Sequence, residues 1–502
     1  MYAIESGKFS QHPLRRASSM EQDFKRRILE VLSVTTLVNF LTGFNARLAI
    51  VGLPTIASSL HADLWQSIWI IQGYMLGSTI IQLVVGRLAD LYGRVKLFNL
   101  GVAIFGLSAL SAGAAPNPVI LIVSRLLQGV GGAFLMSLTI TLLTDYVPKE
   151  RLATWLGINQ VSWRVGALVG LTVSGFIIDA LGWRWVFLVQ FPISLVILLW
   201  SQARLRDIYV PVERPVVDIT GFTLFTAFMS TLLVGLTLHG YGFADISLAT
   251  LVLSFVALTL FVFNELRTRS PALDLRLFRS WTFTGGIIAQ LLYSVGFGAS
   301  MTLLALYFQV VEGYSPSLTG LLITPYELAF LVFGVLGGYL SDIVGYPIVS
   351  SVGLAISSFS LFGLYTVNTT ARILIYESLL GVGTGLFVSP NTSSIMLSVP
   401  PERRGVASSL RTISFNVGFV ASLNIAVLSI TNYVPYKLAS MLITGGQTAS
   451  TFLTSSRTAL LGKAIKYSFL VQSLIMASAI PFSISRLKQA APSSRTSAFR
   501  GL

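Results

Sequence analysis

The stretch GRLADLYG at residues 86–93 returns as GYLSDIVG at residues 338–345, 252 positions further along the chain. Because glycine and aspartate keep their spacing in both copies, the match indicates an internal duplication. Two further patterns repeat at this same offset, which argues for two homologous halves of the kind found in repeat-built transporters. They are GVG (129–131 and 381–383) and VPxER (147–151 and 399–403).

The composition indicates that a lipid bilayer surrounds most of the chain. Of its 502 residues, 54% are hydrophobic and only 11% are charged, whereas soluble domains carry about 25% charged residues. Apolar stretches of about twenty residues, the length that crosses a bilayer as a helix, recur from residue 31 to residue 485. We count about fourteen of them. The sequence therefore predicts an all-α integral membrane protein with fourteen transmembrane helices.

The repeat predicts how these helices are grouped. An offset of 252 residues corresponds to eight predicted spans, so six spans form each half and two more are inserted between the halves. We expect two pseudo-symmetric six-helix bundles plus two inserted helices. The predicted segments are a basic N-terminal tail (1–30), the first bundle (31–203), a linker with the two extra helices (204–281), the second bundle (282–486) and a C-terminal tail (487–502).

The positive charge of the chain is explained by its topology. With a cytoplasmic N-terminus, most of the 34 Lys and Arg residues fall in cytoplasmic loops, as the positive-inside rule requires. We therefore expect a multi-pass protein of the plasma membrane with both termini in the cytoplasm. The net charge of +14 then needs no nucleic-acid partner, and the expected partners are the lipid bilayer and a small-molecule substrate. A monomer is compatible with the sequence, which carries no information on oligomeric state.

Metal and enzyme chemistry find little support in the residues. The chain has no cysteine and only three histidines, none of which has a second metal ligand at helical or loop spacing. The spans lack a nucleophile–base pair, an HExxH motif and a phosphate-binding loop. We therefore predict neither an enzyme nor a metal site, and no cofactor.

Several motifs together resemble the major facilitator superfamily, specifically its fourteen-span branch of drug:proton antiporters. The most specific is the loop at 86–96, which reads GRLADLYGRVK. Similar signatures are RLLQGVGG at 125–132, WRWVFLVQFP at 183–192 and PNTS at 390–393. The resemblance implies two helical bundles, a central cavity, alternating access and a proton gradient as the driving force.

The loop between spans two and three has a physical rationale as a conformational latch. Gly86 and Gly93 permit sharp turns, and Asp90 can accept hydrogen bonds from helix amides or from a nearby arginine such as Arg94. The resemblance implies that this latch breaks during the change of access. The alternative is a static loop staple. Asp342 is the counterpart in the second half, and it lacks basic neighbours.

Small residues on span five predict close helix packing. Gly166, Gly170 and Ser174 recur every four residues and form a stripe that lets another helix backbone approach. The antiporters that this segment resembles have a proline after the second glycine, where this chain has Leu171.

Charged residues inside spans are costly and are therefore functional candidates. Arg125 and Gln128 share one face of span four, and Glu377 occupies the position 252 residues after Arg125. An ion pair between Arg125 and Glu377 across the cavity is one interpretation. The other is that each side chain binds local backbone or tyrosine hydroxyl groups. A further arginine, Arg164, lies in span five.

Glu327 is the leading candidate to carry a proton, with Glu377 as the second. Burial near the middle of span ten disfavours its charged form, which suits proton exchange. The alternative is that Glu327 is a permanent counter-ion to Arg164 or Arg47. The neighbouring Tyr326 would suit an amphiphilic ligand.

Span one departs from the antiporter pattern. Asn45 stands where the family typically has an aspartate, and Arg47 adds a positive charge two positions later. Asn45 lies on the expected cavity face of the helix, whereas Arg47 points well away from that face. Arg47 is a candidate for the cavity or for a contact with a neighbouring helix.

Two functions remain open on the sequence. The resemblance and Glu327 favour a proton-coupled exporter of hydrophobic or amphiphilic molecules. Asn45, Leu171 and the three arginines Arg47, Arg125 and Arg164 favour a permease for anionic organic solutes, because a positive cavity repels lipophilic cations.

Overall fold

The protein is all-α, as the sequence predicts, and its described part contains no strand. The computed structural model describes residues 12–147, 149–207, 218–240, 243–268, 271, 273–400, 403–435 and 455–488. The α-helices are α1 (His12–Ser59), α2 (Leu64–Gln82), α3 (Val85–Tyr92), α4 (Arg94–Gly113), α5 (Pro118–Tyr146), α6 (Lys149–Leu181), α7 (Arg184–Leu188), α8 (Gln190–Arg204), α9 (Ile219–Gly240), α10 (Ala244–Arg267), α11 (Trp281–Phe297), α12 (Ser300–Leu306), α13 (Pro316–Val344), α14 (Tyr346–Thr366), α15 (Thr370–Leu397), α16 (Arg404–Thr431) and α17 (Ser455–Ile484).

The helices supply the expected number of membrane spans. Among the described residues, 13 segments are long and apolar enough to cross a bilayer, and the bent pair of α2 and α3, with an angle of 56°, brings the number to 14. The first helix starts earlier than predicted, at His12 inside the expected tail, although its apolar part begins at Ile28. An even number of spans puts the start of α1 and the end of α17 on one side of the membrane. We call this side the terminal face and the opposite side the far face.

The two copies of the repeated loop end their helices in the same way. Gly93 and Gly345 both follow a helix with positive φ angles of 99° and 104°, a conformation that costs glycine nothing. Helix starts repeat as well, because Asp63 caps α2 and Ser315 caps α13 through their side-chain oxygens. These pairs lie 252 residues apart, so the duplication extends to the helix boundaries.

The same duplication governs how the helices pack. A Cβ atom on Gly129 of α5 would lie 2.1 Å from the carbonyl oxygen of Tyr74 on α2, and one on Gly381 of α15 would lie 2.3 Å from that of Tyr326 on α13. Gly131 and Gly383 are each too close for a Cβ atom in the same manner. Glycine therefore brings the backbones of equivalent helix pairs together in both halves, which is how helices associate where lipid removes the hydrophobic driving force.

The small-residue stripe of span five lies against α1. A Cβ atom on Gly166 would lie 2.1 Å from the carbonyl oxygen of Phe40, and one on Gly170 would lie 2.4 Å from that of Phe44. The buried hydroxyl of Ser174 donates to the carbonyl of Leu171 within its own helix. The two glycines thus fix the distance between α1 and α6, and with it the position of the residues that α1 carries.

We predict that Gly129→Ala and Gly381→Ala each destabilise the protein. The added methyl group meets a backbone carbonyl that cannot move without shifting a helix, and such overpacking costs about 1–3 kcal/mol. Thermal unfolding of the purified protein in detergent measures the effect. Gly405→Ala is the control, because no atom lies within 4 Å of its Cβ position. Equal melting temperatures for all three variants would contradict the packing argument.

Candidate functional site

A buried ion pair joins the first and second predicted bundles. The Nε atom of Arg47 on α1 lies 2.8 Å from the Oε1 atom of Glu327 on α13, and the two side chains are only 8% and 2% exposed. Breaking such a pair strands a charge in a medium of low dielectric constant, so each partner depends on the other. The contact to a neighbouring helix that the sequence left open for Arg47 is thus formed, and Glu327 is its counter-ion in this structure.

Aromatic rings line the second-bundle side of this ion pair. The Arg47 guanidinium lies 5.9 Å from the centre of the Phe297 ring. Phe297 stacks on Tyr293 and on Tyr326, with centroid distances of 5.5 and 5.6 Å. Tyr326 is fully buried. The predicted ligand-facing tyrosine is therefore part of a packed aromatic wall, which would contact a ligand only if the wall opens.

Arg164 is the second arginine that faces α13. Its Nη1 atom donates to the carbonyl of Phe330 at 3.3 Å, and its guanidinium lies 4.5 Å from the centre of the Phe330 ring. Gly334 leaves room for it, because a Cβ atom there would lie 1.6 Å from Nη1. Its charge also acts on Glu327. Two cations from the first bundle therefore converge on one acid of the second.

Arg125 and Gln128 form a polar cluster with Asn45 inside the first bundle. The Arg125 guanidinium donates to Asn45 Oδ1 at 2.7 Å, to Gln128 Oε1 at 2.5 Å and to the carbonyl of Ile70 at 3.1 Å. It also lies 4.8 Å from the centre of the Tyr74 ring. In the described part of the chain, no salt bridge to Arg125 is formed. Amide and carbonyl oxygens thus stabilise this charge.

Glu377 occupies the equivalent place in the second bundle. Arg125 lies beside Tyr74 in the first bundle, and Glu377 lies near the backbone of Tyr326, which is the counterpart of Tyr74. The carboxyl group is completely buried, and neither oxygen makes a well-formed hydrogen bond with any described residue. Arg125 and Glu377 therefore do not pair in this structure, and the local contacts of Arg125 correspond to the second of the two interpretations.

The loop between spans two and three is tied to its own half of the molecule. Arg94 pairs with Asp90, at 2.9 Å between Nη2 and Oδ1, and also with Asp145 at the end of α5. Asp207, just beyond α8, accepts from the backbone amide of Val95 at 2.7 Å. The sequence analysis missed Asp145 and Asp207. An acid in the last turn of a helix, as in α5, opposes the helix dipole, and this was the available signal for Asp145.

The corresponding region of the second half uses different chemistry. Asp342 accepts a hydrogen bond from the hydroxyl of Tyr346 at 2.8 Å. Nearby, the fully buried Arg486 at the end of the last span donates to Asn391 Oδ1 at 2.8 Å and to the hydroxyls of Ser350 and Ser483 at 3.1 and 2.9 Å. The sequence analysis missed Arg486 because a cation just beyond an apolar run reads as a topology signal. Gly86, at the start of the repeated motif, has open space around it.

A comparison with known families decides the identity of the fold. The model of the Major Facilitator Superfamily matches residues 35–423 and 286–491. The chain belongs to this superfamily.

The most similar relatives include transporters named for drug resistance. "Uncharacterized transporter YebQ" of Escherichia coli is 32% identical over 72% of this chain and 80% of its own length. "Multidrug resistance protein Stp" of Mycobacterium tuberculosis is 29% identical over 78% of this chain and 75% of its own. A solved bacterial homologue of the human lysosomal transporter Spinster, in an inward-facing conformation, shares the fold with a TM-score of 0.67 at 15% identity, covering 93% of this chain and 99% of its own.

Membership of the major facilitator superfamily makes the chain a multi-pass membrane transporter of small molecules and not an enzyme. The resemblance stated from the loop at 86–96 is confirmed, as is its relation to multidrug transporters. The candidate site of this superfamily member consists of the Arg47–Glu327 pair with Arg164, and of the Arg125–Asn45–Gln128 cluster.

We predict that Arg47→Met and Glu327→Gln are strongly coupled. Each single change leaves a buried group without its partner and should cost about 3–5 kcal/mol, whereas the double variant should lose less than the sum by about 0.5–3 kcal/mol. Thermal unfolding in detergent gives the three values. As a control, Arg47→Met combined with a change of the exposed Glu312 to Gln should be additive. Additive losses for the Arg47 and Glu327 changes would show that the pair contributes nothing in the folded protein.

Proposed function

We propose that this protein is a proton-coupled exporter of hydrophobic or amphiphilic small molecules that works by alternating access. The observation that carries the proposal is the buried ion pair between Arg47 and Glu327, which joins the two predicted bundles beside an aromatic wall. The drug-resistance names of relatives support the substrate class. We place the protein in the plasma membrane, with the terminal face in the cytoplasm and no cofactor.

The ion pair gives the coupling a physical basis. While Glu327 is ionised, its charge holds Arg47 and keeps α1 against α13. A proton on Glu327 removes the negative charge, and the attraction that opposes separation of the helices is lost. Arg47 and Arg164 then face each other's side of the seam without an acid between them, which favours opening. Release of the proton restores the pair and closes the seam again.

The substrate would lie between the ion pair and the Arg125 cluster. Asn45 and Gln128 offer amide groups, and the rings of Tyr293, Phe297 and Tyr326 offer apolar surface. This combination of a few polar groups with aromatic walls is typical of small-molecule sites.

A second candidate function is a permease for anionic organic solutes. Arg47 is neutralised by Glu327, but Arg125 is held by neutral oxygens among the described residues, and Asn45 replaces an acid that could have neutralised it. A cation so placed would bind a carboxylate or sulfonate group at the cost of its present amide contacts.

A thermal-shift screen separates the two functions. Purified protein in detergent is heated with matched sets of lipophilic cations, neutral amphiphiles and organic anions, since a ligand of the folded state raises the melting temperature by mass action. Stabilisation by cations or neutral amphiphiles supports the exporter. Stabilisation by anions alone, lost in Arg125→Gln, would overturn it in favour of the permease.

We predict that Glu327→Gln abolishes transport driven by a pH gradient but retains ligand binding. Glutamine is nearly isosteric and cannot exchange a proton, so the coupling is lost while the cavity keeps its shape. Flux of the most stabilising ligand is measured in proteoliposomes with an imposed pH gradient, and binding is measured by thermal shift. Glu312→Gln, a change of an exposed carboxylate outside the seam, serves as the matched control. Flux equal to that of the parent in Glu327→Gln would remove Glu327 from the coupling mechanism.

A further inference from the structure

The inserted helix α9 lies across a seam between the two predicted bundles. It packs against both α2 of the first bundle and α16 of the second. Towards the terminal face, Phe225 and Met229 of α9 share an apolar cluster with Ile413 of α16, and the hydroxyl of Thr226 donates to the carbonyl of Ile80 on α2 at 3.2 Å. The inserted helix is therefore anchored to both sides of the seam.

A buried triangle of polar side chains closes this seam towards the far face. The hydroxyl oxygen of Thr237 on α9 lies 3.0 Å from Gln72 Oε1 on α2 and 3.4 Å from Asn424 Nδ2 on α16. Gln72 Nε2 lies 3.4 Å from Asn424 Oδ1. All three residues are at most 3% exposed. Since Gln72 and Asn424 approach each other only at 3.4 Å, the shorter contact from Thr237 supplies the stronger bond of the triangle.

A small cavity lies next to the triangle, within the same seam. It measures about 20 Å³ and has lining residues on α1, α2, α12 and α16. Ile68 and Leu423 in its lining are close neighbours of Gln72 and Asn424 along their helices. Thr302 of α12 also lines it, is 4% exposed, and has a hydroxyl that makes no hydrogen bond with any described residue. Separation of α2 from α16 would expose this position to water.

We propose that Thr237 is a gate-positioning residue: through Gln72 and Asn424, the inserted helix α9 holds the far-face side of the α2–α16 seam closed. When the seam opens, the three groups lose partners that the surrounding apolar core cannot replace, so their bonds favour the closed state. The two inserted helices thus take part in the change of access. This inference rests on the alternating access of the proposed function.

The test uses the natural absence of cysteine from the chain. Thr302→Cys introduces a single thiol into the seam, and its rate of reaction with a polar maleimide is measured on the full-length protein in lipid nanodiscs. Thr237→Val keeps the shape of the side chain and removes the hydroxyl. We expect it to raise the labelling rate by about fivefold, the factor that corresponds to the net loss of one hydrogen bond.

Matched variants separate a gate from a general loss of stability. Thr237→Ser restores the hydroxyl and should return the rate to that of the parent. Thr231→Val changes a threonine on the same helix whose hydroxyl lies against carbonyls of α9 itself, and it should leave the rate unchanged. If Thr237→Val does not purify as a folded protein, Gln72→Leu breaks the same triangle from α2 and should raise the rate equally.

The outcomes distinguish the gate from the proposed function. Equal labelling of the parent and Thr237→Val, or equal increases in Thr237→Val and Thr231→Val, would overturn the gate while leaving alternating access intact. No labelling of the introduced thiol in any variant, with or without a pH gradient across proteoliposomes, would contradict the opening of the seam and therefore both proposals.

Discussion

A charge buried in a membrane protein needs a partner, and this constraint accounts for the arginines described above. Four solutions occur in one chain. Arg47 is paired with a carboxylate, Arg125 is bound by amide and carbonyl oxygens, Arg164 lies on a ring and a carbonyl, and Arg486 is surrounded by hydroxyl and amide groups. Only the first solution crosses between the predicted bundles and can be switched by a single proton, which is why the proposed coupling is centred there.

Duplication has kept the packing of the halves and changed their chemistry. Gly129 and Gly381 bring equivalent helices into the same close contact, because a backbone-to-backbone approach leaves no room for variation. The side chains that these helices carry are free to diverge. Arg125 and Glu377 show this directly, since they lie in equivalent positions with opposite charge. The common architecture therefore supports two halves with different electrostatic roles.

The sequence predicted the fold well because its signals are local. Span length, helix-ending glycines and the 252-residue offset depend on residues close together in the chain or on simple repetition. The partners within the site depend on how the halves meet, which no local pattern encodes. Glu327 was left between two possible counter-ions for this reason. Thr237 carried no signal at all, because a single threonine in an apolar span is ordinary until Gln72 and Asn424 are placed beside it.

The close approach of Arg164 to Gly334 has an evolutionary consequence. A Cβ atom at position 334 would overlap the guanidinium, so the two positions cannot vary independently. A lineage can acquire a side chain at position 334 only after residue 164 has become shorter, and a return to arginine at 164 is then blocked until glycine reappears. The order of substitutions is therefore fixed by geometry, and the two positions should covary among the descendants of this protein.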